Sequence, residues 1–70
     1  MSTSLSEKDK KILNISLENI TENDDLFRRY ALAFYRRDIN DMIKVQQAWQ
    51  LRYPKTRFRQ EYAEYLKLSS

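Results

Sequence analysis

Four cations and two aromatic rings fall within eight residues in the segment Arg52-Tyr-Pro-Lys-Thr-Arg-Phe-Arg59. Arginine presents a planar fork of donors that matches carboxylate or phosphate, and Tyr53 and Phe58 supply ring faces for stacking or packing. A second set of cations lies upstream, where the doublets Arg28-Arg29 and Arg36-Arg37 bracket the stretch Tyr30–Tyr35. Asp24 and Asp25 stand four residues before Arg28 and Arg29, the spacing of ion pairs along one helix. Arg36 and Arg37 have no acid three or four positions upstream; at a helix C-terminus they complement its negative end. The cations expected to meet a partner are therefore Arg36, Arg37, Arg52, Lys55, Arg57 and Arg59. A different face is implied if residues 39–52 form a recognition helix of helix-turn-helix type. Lys44, Ala48, Arg52 and Lys55 then follow helical spacing, and Lys44, Gln47, Arg52 and Lys55 become the nucleic-acid contacts, with Asn40 nearby. Leu51 and Asp41 share that outer half and count against it, as does the missing glycine in the turn.

Chemistry of the bond-breaking kind has few candidates. The chain contains no histidine, no cysteine and no glycine. Those absences remove the usual general base, the strongest nucleophile and the preferred transition-metal ligands. They also remove the turns of phosphate loops and nucleophile elbows. The paired carboxylates Asp24-Asp25 and Asp38…Asp41 have the right type to hold Mg²⁺ or share a proton. Both pairs sit at helix starts, where acids are expected on electrostatic grounds alone. The expectation is a protein that is not an enzyme and has no cofactor or metal.

Stepping outward, the chain of 70 residues makes one small domain over 1–70, with 1–5 and 68–70 expected to fray. A glycine-free chain excludes most β-barrels, Rossmann units and P-loop folds, because tight hairpins and helix C-caps draw on positive φ. The expected class is all-α: a bundle of three to four short helices over about 7–19, 22–36, 39–52 and 56–67. Ser6 with Asp9, Thr21 to Asp24 and Asp38 with Asp41 each resemble an N-cap followed by an acidic first turn. Tyr53-Pro54 closes the third helix, since a residue before proline avoids the α region. Leu13, Leu17 and Ile20, widened by Ile12 and Ile15, give the first helix its stripe. The second is apolar around most of its circumference, which marks a central helix or one at an interface. Periodicity assigns Phe27, Tyr30, Ala31 and Phe34 to its main face. On the third it assigns Ile39, Met42, Ile43, Gln46, Trp49 and Tyr53, and on the fourth Phe58, Tyr62, Tyr65 and Leu66.

The charge is unevenly spread. Residues 1–27 carry three lysines against six acids, a balance of −3, whereas residues 28–70 carry ten cations against four acids, a balance of +6. Such polarity suits an acidic partner, a nucleic acid or head-to-tail self-association into a homo-oligomer. No apolar run is long enough to span a membrane and the N-terminus lacks the pattern of a secretory signal. The cysteine-free chain fits a reducing compartment, so the expected location is cytoplasmic, and the Asn14 and Asn19 sequons are chance. The expected function is that of a non-catalytic regulatory or adaptor protein, able to act as an inhibitor, that binds a protein partner with an acidic surface. Direct DNA or RNA binding is the alternative.

Overall fold

The computed structural model describes residues 6–69. Its helices are α1 (Glu7–Asn14), α2 (Asn23–Arg36), α3 (Ile39–Arg52) and α4 (Phe58–Ser69), with a 3-10 turn over Leu17–Asn19 between α1 and α2. No strand occurs among the described residues, so the chain is an all-α bundle as its glycine-free composition implies. The fraying expected at 1–5 and at Ser70 lies outside the described residues, and Leu68 and Ser69 continue α4.

The helix starts follow local chemistry. Ser6 Oγ accepts from the backbone N–H of Asp9 at 3.2 Å, and Asp38 Oδ1 accepts from that of Asp41 at 3.2 Å. Each bond satisfies a donor that a helix N-terminus otherwise leaves unpaired. The cap expected from Thr21 is absent: Glu22 occupies that place without a side-chain bond. Residue 56 does not open the last helix either. Thr56 Oγ1 instead accepts from Trp49 Nε1 at 3.1 Å and donates to the Tyr53 carbonyl at 2.9 Å. Gln50 Nε2 donates to the carbonyls of Tyr53, Pro54 and Thr56, closing the α3–α4 connection.

The expected first helix over 7–19 is broken. Ile15 and Ser16 turn to extended backbone, with ψ of 152° and 144°, before the 3-10 turn. Arginines from elsewhere satisfy the carbonyls this break exposes. Arg29 Nη1 donates to the Ile12 and Ile15 carbonyls at 2.8 and 3.1 Å. Arg52 Nη2 donates to the Leu17 carbonyl at 3.2 Å and to that of Ile20. Two long side chains therefore replace the missing turn of helix.

α2 packs against α1, α3 and α4 and is the central helix. Ile12, Ile20, Leu26, Phe27, Val45, Trp49 and Phe58 form the core, with Leu17, Tyr30, Tyr62 and Tyr65 packed on it. Trp49 is a core residue, as its spacing suggested. Phe27 lies at its centre, with ring centroids 4.7 Å from Trp49, 4.9 Å from Tyr65 and 5.8 Å from Phe58. Tilted and edge contacts at these separations add to the burial of ring area.

On α3 the buried stripe is Asp41, Val45 and Trp49, with Met42, Gln46, Ala48 and Arg52 half-buried. The face chosen by apolar periodicity is thus rotated by roughly a quarter turn at 100° per residue. Ile39 and Ile43 point to solvent, and Asp41, expected on the outer half, is inside. The cause is an arginine of α2. Arg29 Nε and Nη2 grip Asp41 Oδ2 and Oδ1 at 2.8 and 2.9 Å. Asp41 and Arg52, eleven residues or about three turns apart on α3, are both held inward by polar bonds, and Val45 and Trp49 follow.

Candidate protein-docking surface

α2 and α3 join through Arg37 and Asp38 alone. Arg37 ends α2 in the left-handed region at φ 56°, ψ 36°. The Asp38 N–H then reaches back to the Ala33 carbonyl at 2.9 Å. This is the closure usually made by glycine, made here by an arginine whose side chain is left in solvent. The tight turn sets α3 antiparallel to α2, as the bond from the Tyr53 hydroxyl to Asn23 Oδ1 at 2.9 Å shows at the far end.

α4 lies over the groove between these two helices and covers part of it. The Phe58 and Tyr62 rings each sit 4.8 Å from Tyr30, and Tyr65 sits 4.9 Å from Phe27. α4 therefore starts over the middle of α2 and runs back toward its N-terminus. Gln46 Nε2 donates to the Tyr30 hydroxyl at 3.5 Å, joining α3 to α2, and on the α3 side the Phe58 ring sits 5.9 Å from Trp49. Toward the turn the groove is bare. Phe34, one turn beyond Tyr30, is 62% exposed; Ile39 and Ile43, seven and three residues before Gln46, are 60% and 47% exposed. Tyr35, about 100° further round α2 on the side of Arg28, is 87% exposed. All but Tyr35 were assigned to the core by periodicity. The breadth of apolar residues around α2 matches its central place, packed on α1, α3 and α4.

The charges at this end of the α2–α3 pair are mostly positive, with Arg36 and Lys44 on the side of Asp41. Arg36 Nη2 lies 3.8 Å from Asp41 Oδ2 and its Nε donates weakly to the Leu32 carbonyl at 3.4 Å. Half its side chain stays in solvent. Arg37 and Lys44 are exposed, and neither makes a side-chain hydrogen bond or ion pair within the described residues. The nearby acids are already engaged: Asp38 caps α3, and Asp41 is clamped by Arg29. The hydrogen bonds from Arg29 outweigh the desolvation that opposes them and hold the Asp41 carboxyl below the usual carboxylate range.

The remaining expected contacts divide. Lys55, Arg57 and Arg59 are exposed near the start of α4, with no ion pair within the described residues. Arg52 is half-buried on the Leu17 and Ile20 carbonyls, so its guanidinium is part of the fold. Phe58 is buried, and Tyr53 packs 4.7 Å from Trp49. Arg36 and Arg37 lie at one end of α3 and Arg52 at the other, about 20 Å away for fourteen residues of helix, while Arg57 and Arg59 return with the start of α4 toward the middle of α2. Arg52 therefore stands apart from Arg36 and Arg37 in the surface the sequence suggested.

The outer face of α3 is no more cationic. Lys44 and Gln47 are exposed, but between them and Lys55 lies Leu51, 85% exposed, at a cleft of about 400 Å³ lined also by Leu17, Glu18 and Ala48. The ion pairs expected within α2 are replaced as well. Arg28 Nε and Nη2 bind Asp9 of α1 at 2.8 and 2.9 Å, and Asp25 faces Lys8 at 3.9 Å. Among the described residues no three of His, Cys, Asp or Glu gather where they could hold a metal ion. Among the described residues no helix is long and apolar enough to cross a membrane. No protein-family model, curated protein or solved structure matches the chain.

Proposed function

We propose that this protein is a small non-catalytic regulatory or adaptor module that binds an acidic surface of a protein partner. The observation that carries the reading is the bare end of the α2–α3 groove, where Phe34, Ile39 and Ile43 are exposed beside Arg37. Aromatic and aliphatic anchors with arginine at their rim are the composition of protein interfaces. A groove-reading helix would instead present a run of cations and amides to phosphates and bases. The most buried carboxylates, Asp9 and Asp41, are tied to arginines, which suits a structural rather than a catalytic use. With zero cysteines the cytoplasm is the compartment we assign.

The test is affinity capture by the full chain from nuclease-treated lysate of the source cell. Wild type is compared with Ile43→Glu, and with the triple reversal at Lys55, Arg57 and Arg59, after circular dichroism verifies both folds. Retention of an identified protein, lost in Ile43→Glu, is the expected result. Capture indifferent to both variants overturns the reading. So does binding to a DNA duplex that collapses with salt and depends on Lys44 and Lys55, which assigns the protein to nucleic acid.

A further inference from the structure

Resting on that reading, we infer that the occupant of the bare groove is an amphipathic helix with acidic flanks, lying end to end with α4. The groove already accepts a helix over half its length. α4 seats Phe58, Tyr62 and Tyr65, at i, i+4 and i+7, on Tyr30, Phe27 and Trp49. The same two walls continue toward the turn, with Phe34 on α2 and Ile39, half-buried Met42 and Ile43 on α3. From Gln46 to Ile39 the wall rises about 10 Å, room for two helical turns. Two turns carry anchors at i, i+3 or i+4 and i+7, the mode of helix-in-groove recognition.

Charge selects the flanks. Arg37, in the turn that ends the groove, makes no side-chain hydrogen bond or ion pair within the described residues. Arg57 and Arg59 stand exposed at the first turn of α4, where an end-to-end helix would arrive. Asp38 and Asp41 are committed inside the fold, which leaves half-buried Glu61 in the first turn of α4 as the one acid we find against the three cations of this rim among the described residues. A helix bearing Asp or Glu beside its anchors meets complementary charge, and one bearing Lys or Arg meets like charge.

The experiment is a display library of sixteen-residue helices selected against the full chain, with Leu, Ile or Phe at the anchor positions and either acidic or basic residues beside them. Acid-flanked members are expected to enrich, and a synthetic copy of the best is expected to shift the amide resonances of Phe34, Ile39 and Ile43. Ile43→Arg keeps the rim positive but fills the groove, and is expected to weaken that peptide at least ten-fold. Arg37→Gly removes one cation at a backbone angle that glycine adopts freely, and is expected to weaken it two- to five-fold with the fold intact. Enrichment of base-flanked helices, binders unaffected by Ile43→Arg, or no enrichment each overturn the inference. Groove resonances that move on dilution of the free chain also overturn it, because a second copy is then the occupant. Partner capture that still depends on Ile43 alongside any of these results leaves the broader reading standing, so the two fail separately.

Discussion

Asp41 joins three parts of the molecule, and removing its charge by Asp41→Asn is the sharpest test of how the fold is held. The carboxylate accepts two short bonds from Arg29, whose own side chain is 13% exposed, and lies 3.8 Å from Arg36. Arg29 in turn holds the Ile12 and Ile15 carbonyls, so the same cation closes the end of α1. Breaking a buried pair by neutralising one partner typically costs 3–5 kcal/mol, and the residual solvent contact argues for the lower end, about 3 kcal/mol. A chain of this length has roughly 3.5–10 kcal/mol of total stability, so the loss is a large share. At 4–8 °C per kcal/mol for a small domain, the melting temperature is expected to fall by about 12 °C or more. Thermal and urea melts followed by circular dichroism at neutral pH measure it. The double replacement Arg29→Met with Asp41→Leu removes both charges, and is expected to recover most of the loss. A drop below about 4 °C for Asp41→Asn refutes the assignment of Asp41 as a pinning residue. A double variant no more stable than the single refutes its attribution to an unpaired buried charge.

Acid is expected to act on the same bonds. Hydrogen bonds from Arg28 to Asp9 and from Arg29 to Asp41 lower both carboxyl pKa values from the ordinary 3.8, so the folded chain releases these protons more readily than the unfolded one. Their contribution is complete above the unfolded value and is lost as pH falls through the folded values. Melting temperature is therefore expected to hold down to about pH 5 and to decline below about pH 4, less steeply in Asp9→Asn; an unchanged slope in that variant contradicts the Asp9–Arg28 share. Arg37→Gly relieves a left-handed residue that carries a Cβ, and urea melts are expected to show a gain of about 0.5–1 kcal/mol. A loss there means that the arginine side chain supports the turn. Arg52→Lys cannot hold two carbonyls with one planar fork, and is expected to cost about 1–2 kcal/mol and to speed hydrogen exchange at Asn19 and Ile20. Unchanged exchange at those amides shows that the 3-10 turn is held by its apolar contacts instead.

Much of this protein was legible one helical turn at a time. The Ser6 and Asp38 caps, the proline stop after Tyr53 and the all-α class depend on groups three or four residues apart, which the sequence places together without help from the fold. Phe58, Tyr62 and Tyr65 of the α4 stripe were legible for the same reason and pack on α2 and α3, whereas Leu66, read onto the same stripe, is 46% exposed. Tertiary structure decided the rest, through partners far apart in the chain. Arg28 and Arg29 had acids waiting one turn away and bind instead across 19 and 12 residues, to Asp9 and Asp41. A bidentate guanidinium–carboxylate contact partly shielded from water outweighs an exposed pair along one helix. That choice drew Asp41 inward, rotated α3 and turned Ile39 and Ile43 out to solvent. Apolar periodicity ranks a buried aspartate as an outside residue, so it took the surface of α3 for its core. The candidate docking groove was hidden in the sequence for that reason: its cations were visible, but which apolar residues stood beside them was fixed only when α2 and α3 met.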